Sequence, residues 1–107
     1  MIFTLNAAML DFLVLSIVRR GDSYGYQISQ MLKPISNAKD STLYPVLKRL
    51  TESGWVEAYD QPYQGRNRRY YRITDGGCEH QEELCREWAQ FAREVEIIIE
   101  GGEQNEQ

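Results

Sequence analysis

The chain has 107 residues, 42% of them hydrophobic, and carries a formal net charge of −4 with a pI near 5.0. That size gives one domain with a small core, and the composition is that of an ordinary soluble globular protein. Two cysteines exclude a disulfide framework, and the acidic total would exclude a nucleic-acid partner only if the charge were evenly spread, since a binding footprint needs a local patch rather than a basic whole.

The apolar run Met9 to Val18 resembles a signal-peptide core. No Lys or Arg precedes it, Asp11 interrupts it and no small-residue cleavage site follows. It is too short to span a bilayer, so the expected location is cytoplasmic, with no membrane partner. Leu10, Leu13, Val14, Ile17 and Val18 fall on one stripe, which predicts a first helix over residues 6–20, capped by Asn6 or Thr4 and stopped at Gly21. Asp22 or Ser23 would start a second helix with Tyr24, Ile28, Met31 and Leu32 at helical spacing. Pro34 would close it, because the residue before a proline avoids helical geometry. Residues 35–40 read as a connector.

A third helix follows, with Ser41 or Thr42 as its cap and Pro45 near enough to its start to be tolerated. Leu43, Val46, Leu47 and Leu50 recur at helical spacing and face a core. Thr42, Tyr44, Pro45, Lys48, Arg49 and Glu52 turn wholly or partly outward, and Gly54 ends the helix in a left-handed conformation. Two short helices joined by a tight link, the second with outward polar groups, form a helix-turn-helix.

Residues 55–59 and 69–73 are rich in strand formers, with a Pro- and Gly-marked loop over residues 61–67 between them. Arg66, Arg68, Arg69 and Arg72 lie here with no acid among them. Up to Cys78 the charge balance is +3, and from Glu79 onward it is −7. Strand alternation places Arg68, Tyr70 and Arg72 on one face and Arg69, Tyr71 and Ile73 on the other. Helix then arginine-rich hairpin is how a winged helix meets double-stranded DNA. The candidate contacts are Ser41, Thr42, Tyr44, Pro45, Lys48 and Arg49 on the helix and Arg66, Arg68, Arg69 and Arg72 on the wing. Arg66 and Arg68 are the stronger wing candidates, because the alternation sets Arg69 beside the core face.

Thr74 caps a last helix running to about Glu100, with Asp75 suiting its positive dipole end. Leu84, Trp88, Phe91, Val95 and Ile98 are spaced four, three, four, three, an a/d heptad seam that Cys85, Ala92 and Ile99 broaden. One small domain cannot cover that stripe, and the same helix of a second copy is its simplest cover, so these eight residues are the expected homodimer interface. Trp88, Phe91 and Val95 would wall a groove for a small planar aromatic effector. Gly101 and Gly102 end the helix, and the polar residues 101–107 read as a disordered acidic tail.

Cys78 and Cys85 share a face with His80 almost opposite, so the three cannot hold one metal, and the cysteines are about 10 Å apart along the axis, too far for an internal bridge. The lone histidine, expected to be exposed, has no nucleophile to serve, and Gly76-Gly77 lacks the rest of a phosphate loop. The chain is therefore expected to be no enzyme, with no cofactor and no metal.

Tyr24-Gly25-Tyr26-Gln27-Ile28, the run from Ser41 to Leu50 (STLYPVLKRL), Gly54-Trp55-Val56 and the run from Gly65 to Thr74 (GRNRRYYRIT) together resemble the PadR family of bacterial transcriptional regulators. The resemblance covers about residues 5 to 77 by motif, and the single last helix extends it to about 100. It implies a winged-helix DNA-binding domain, a homodimer formed through the last helix, and repression relieved by a small molecule. Trp88 matches the tryptophan that, in some members with one such helix, sandwiches a flat aromatic compound in the dimer interface. Arg69 stands where lysine is frequent, and Cys78 where a polar residue is usual.

The expected architecture is thus mainly α, a winged helix-turn-helix of three helices and a two-stranded wing over residues 1–74, with a dimerisation helix over 75–100. The competing reading is a winged-helix protein–protein adaptor that does not read DNA, which the acidic last helix favours and the wing arginines disfavour.

Overall fold

The computed structural model describes residues 3–36 and 40–101. The carboxamide oxygen of Asn6 accepts a hydrogen bond from the Met9 N–H at 2.9 Å, satisfying one orphan donor of the first turn and starting α1 (Ala7–Arg20). Its apolar stripe buries Leu10, Val14, Leu15, Ile17 and Val18. The chain then turns into β1, the two residues Ser23–Tyr24, before α2 (Gly25–Leu32). The second helix therefore begins later than Asp22 or Ser23, because Ser23 and Tyr24 pair with another strand instead. Of the residues at helical spacing, Ile28 and Leu32 are buried and Met31 is exposed.

Helix α3 (Asp40–Glu52) already contains Ser41 and Thr42, so neither is its cap. The residue that would cap it, and half of the expected connector (37–39), lie outside the described residues. Pro45 sits in the second turn with the helix running on through it. Leu43, Val46, Leu47 and Leu50 are buried as their spacing requires. Gly54, at φ +80, ends the helix in the left-handed region that glycine enters at little cost.

The wing is longer and tighter than the composition suggests. Strand β2 (Val56–Tyr63) and strand β3 (Arg66–Ile73) pair in full antiparallel register from Val56↔Ile73 to Tyr63↔Arg66. The expected loop over residues 61–67 shrinks to a turn at Gln64 and Gly65, both at positive φ (50 and 78). A two-residue turn of that kind matches the twist of the strands it joins. Pro62 is accommodated because the strand order β1-β3-β2 makes β2 an edge. On the other side β1 pairs with β3 at Ser23↔Tyr71 and Tyr24↔Tyr70, giving three strands rather than two.

Helix α4 (Asp75–Glu100) has 26 residues. The Thr74 hydroxyl oxygen accepts from the Gly77 N–H at 3.0 Å, donates to the Gly54 carbonyl at 2.7 Å, and so caps the helix while tying it to the end of α3. Gly101 closes it at φ +70; the rest of the expected tail lies outside the described residues. The first turns of α4 dock on α1: Arg19 donates to Gln81 Oε1 at 2.8 Å and to the Cys78 carbonyl at 3.3 Å, and pairs with Glu82 at 2.8 Å, while Gln81 donates to the Ser16 hydroxyl at 3.0 Å. The core lies between α1, α2, α3 and the inner face of the sheet, where Val56 and Tyr71 are buried. No helix among the described residues is long and apolar enough to cross a membrane.

Candidate nucleic-acid interface

Register decides which wing side chains face α3. Val56, Ala58 and Asp60 on β2 share the inner face with Ile73, Tyr71 and Arg69 on β3, while Glu57, Tyr59, Gln61 and Tyr63 share the outer face with Arg72, Tyr70, Arg68 and Arg66. Tyr71 is buried and Ile73 packs on the core, as the alternation requires. Desolvation raises the Tyr71 pKa, partly countered by the Arg69 charge.

Two adjoining grooves run between α3 and the wing. The smaller, about 230 Å³, is lined by Tyr44, Lys48, Thr51, Glu52, Ala58, Arg69 and Tyr71. The larger, about 490 Å³, passes between the start of α2, α3 and β3 and has no acidic residue in its lining. Tyr44, Arg69 and Tyr71 border both. Arg69, the weaker candidate by strand alternation, is thus the arginine that faces Tyr44 and Lys48 across the groove. Alternation gives its face, beside the packed positions of Tyr71 and Ile73; what alternation leaves open is that this end of the inner face borders a groove.

The candidate cations divide by what holds them. Arg49 is ion-paired with Asp11 of α1. Arg69 pairs with Asp60, its direct cross-strand neighbour, at 3.3 Å, and Arg72 pairs with Glu57 at 3.3 Å and lies over the Tyr59 ring at 4.9 Å. Lys48 and Arg66 are exposed and have no ion-pair partner among the described residues. Ser41, Thr42, Tyr44 and Pro45 are exposed on the first turns of α3, so hydroxyls and one donor-free turn precede Lys48 along the helix.

Arg68 is held differently. Its guanidinium lies 3.5 Å from the ring centroid of Tyr63 and 4.0 Å from that of Tyr24, and donates to the Tyr70 hydroxyl at 3.5 Å. Desolvation lowers its pKa, and its tyrosine neighbours, the Tyr70 hydroxyl first, more than offset this, for a net rise. Tyr70 stacks on Tyr59 at 5.6 Å and meets Tyr24 edge-on at 5.5 Å. The Tyr59 hydroxyl donates to Asp22 at 2.7 Å, which raises its pKa. This tyrosine ladder follows from the two-residue turn. A seven-residue loop leaves the register open, and with it the identity of the rings that share a face.

At the root of the wing, Trp55 stacks on His80 with centroids 3.7 Å apart and planes 19° apart. His80 is therefore partly covered rather than exposed, with Glu83 at 3.5 Å. No cluster of acidic, histidine and cysteine side chains among the described residues is arranged to hold a metal ion.

Of the seam residues on α4, Leu84 packs against the core and Ala92 is half-exposed. Cys85, Trp88, Phe91, Val95, Ile98 and Ile99 are exposed, the two isoleucines at 73% and 75%. Trp88 and Phe91 lie 6.2 Å apart with planes tilted by 40°.

Comparison with known proteins places this geometry. A sequence model described as the transcriptional regulator PadR-like family matches residues 14–83. The chain is similar to the crystal structure of smu.1704 from Streptococcus mutans UA159, at 44% identity and TM-score 0.89, over 94% of this chain and 95% of that one. It is 32% identical over 75 residues to the negative transcriptional regulator PadR of Bacillus subtilis (strain 168), covering 64% of this chain and 41% of that protein. The crystal structure of Bacillus subtilis PadR in complex with operator DNA is matched at 27% identity and TM-score 0.66, over 71% of this chain and 46% of the other.

Proposed function

The chain belongs to the PadR-like family of transcriptional regulators, and from that premise we propose that it is a homodimeric repressor that binds operator DNA through α3 and the wing. The observation that carries the reading is the grouping of Tyr44, Lys48 and Arg69 along one groove, with Arg66 exposed at the hairpin tip. Helix α3 presents Ser41, Thr42, Tyr44, Pro45 and Lys48 to the major groove. The hydroxyls and the lysine can meet base edges or phosphates, and Pro45 lets the backbone approach without a buried donor. Arg66 reaches phosphate or the minor groove, supplying affinity more than sequence information. Arg69 and Arg72 would contribute by exchanging an exposed carboxylate partner for a phosphate, which costs about as much as an exposed ion pair is worth, 0–1 kcal/mol; Arg49 is held more firmly, because its partner Asp11 is largely buried.

The uncovered stripe on α4 supports the dimer. Trp88, Phe91, Val95, Ile98 and Ile99 are apolar, exposed and on one side of one helix, and a second copy in the same arrangement buries them in both chains. The two α3 helices would then be held near the ~34 Å separation of successive major grooves. A planar aromatic effector entering between the paired Trp88 side chains, against Phe91 and Val95, would rotate the heads off that spacing and release the DNA. The Bacillus subtilis relative is a negative regulator by name, and repression is extended to this chain on that likeness.

One observation favours the adaptor reading: three of the wing and helix arginines already have acidic partners within the chain. Selection of bound sequences from random duplex DNA decides between them. The repressor reading predicts enrichment of two inverted half-sites about one helical turn apart. Recovery of an unenriched pool at low salt contradicts it.

A further inference from the structure

Sheet pairing leaves one part of the wing untied. Among the described residues, strand β1 contacts β3 only at Tyr70 and Tyr71, so residues 66–69 have β2 on one side and no strand on the other. A two-stranded ribbon twists more freely than a sheet and is marginally stable alone. Backbone hydrogen bonding therefore fixes the outer end of the hairpin to its own partner strand but not to the helices.

One side chain crosses that gap. The Arg68 guanidinium is stacked between Tyr63, the last residue of β2 before the turn, and Tyr24, where β1 meets α2. Both distances are well inside the 6 Å within which a ring face attracts a cation. A planar guanidinium can stack on a ring at each face, which an ammonium cannot do. Tyr70, already stacked on Tyr59, closes the third side through its hydroxyl. The clasp thus joins the hairpin tip, the middle of the sheet and the residue that leads into the helix preceding the reading helix.

Resting on the proposed DNA-binding role, we propose that Arg68 is a positioning residue, clasped by Tyr24 and Tyr63 so that the hairpin tip and its exposed Arg66 are held at a fixed angle to α2 and α3. Arg68 does not contact DNA; Arg66 does, and Arg68 acts through it.

The test compares R68A, Y63L and the R68A/Y63L double variant, with Y63F keeping the ring as the conservative control. Two measurements are made: amide hydrogen exchange at residues 64–67 in the free protein, and binding to a labelled random-sequence duplex at several salt concentrations. Positioning predicts faster tip exchange in R68A and Y63L. It also predicts a three- to tenfold affinity loss in each, no further loss in the double variant, and an unchanged dependence of log affinity on log salt. Y63F stays near wild type. Three results overturn the proposal: a shallower salt slope in R68A with Y63L neutral, which makes Arg68 a direct phosphate contact; additive losses in the double variant; or tip exchange unaltered by both single substitutions. If the wild-type protein does not bind the duplex, the DNA-binding reading fails, while the exchange data still decide whether the clasp holds the tip.

Discussion

The two ends of α4 belong to one unbroken helix and meet different fates. At its start Gly77 is buried against the Trp55 carbonyl, His80 stacks on Trp55, Gln81 bonds to Ser16 and Leu84 packs on the core. From Trp88 onward Phe91, Val95, Ile98 and Ile99 are exposed, although the stripe continues unbroken. The difference shows that periodicity reports which side of a helix wants cover and not who supplies it. The head of this molecule supplies it for about three turns, and the proposed second copy for the rest. Substitutions in the two halves should therefore separate folding from association.

The largest effect is expected at the junction. A Cβ on residue 77 would lie 2.0 Å from the Trp55 carbonyl oxygen and 2.8 Å from Ile73 Cγ1, so G77A forces the root of the wing away from α4. We expect a loss of about 3 kcal/mol in chemical denaturation, at the upper end for overpacking. Wild-type stability would mean that the junction is loose and that the contrast between the halves is overstated.

The outer half should respond in the opposite way. F91E together with I98E should weaken self-association about 100-fold or more, since two central apolar side chains are replaced by charges facing charges. Helical content by circular dichroism should stay near wild type. Sedimentation equilibrium measures the first and tests whether folding and association are separable. A third substitution, T74A, removes the α4 cap and its bond to Gly54 and should cost about 1–2 kcal/mol, leaving association of the remaining folded protein unchanged.

The smallest effect is at high pH. Desolvation raises the Tyr71 pKa above the ordinary tyrosine value of 10.0, so the folded chain holds that proton more tightly than the unfolded one. Its stabilising contribution is complete below about pH 10 and is lost as pH rises through the folded value. The urea midpoint should fall as pH rises above about 10, and Y71F should flatten that fall.

Much of this was legible in the chain because local chemistry and burial agreed. Asn6, Gly54, Thr74 and Gly101 act as the end signals they resemble, and Leu43, Val46, Leu47 and Leu50 face the core at the spacing that marks them. What stayed hidden depended on long-range pairing. Ser23 and Tyr24 carry no strand signal of their own and become β1 only because β3 offers a free edge. Pro62 and Gly65 together look like a loop, yet an edge strand tolerates the proline and a two-residue turn requires the glycine. With that turn unseen, the register was unseen too, and so were the Arg68 clasp and the position of Arg69 opposite Tyr44. His80 lacks any local sign of the Trp55 stack that covers it. The ion pair of Arg49 with Asp11, far away in the chain, is likewise outside the reach of spacing.

The central claim is that Lys48 on α3 and Arg66 at the hairpin tip, the exposed cations without acidic partners among the candidate DNA-binding residues, meet phosphate in each copy of a dimer. Fluorescence anisotropy with a labelled duplex, titrated with salt, tests it directly. The wild-type protein should give a log–log slope of about −5 to −7, and K48A/R66A should be shallower by about 3 to 4, because both protomers would each leave two phosphates unneutralised. An unchanged slope in that variant would contradict the account.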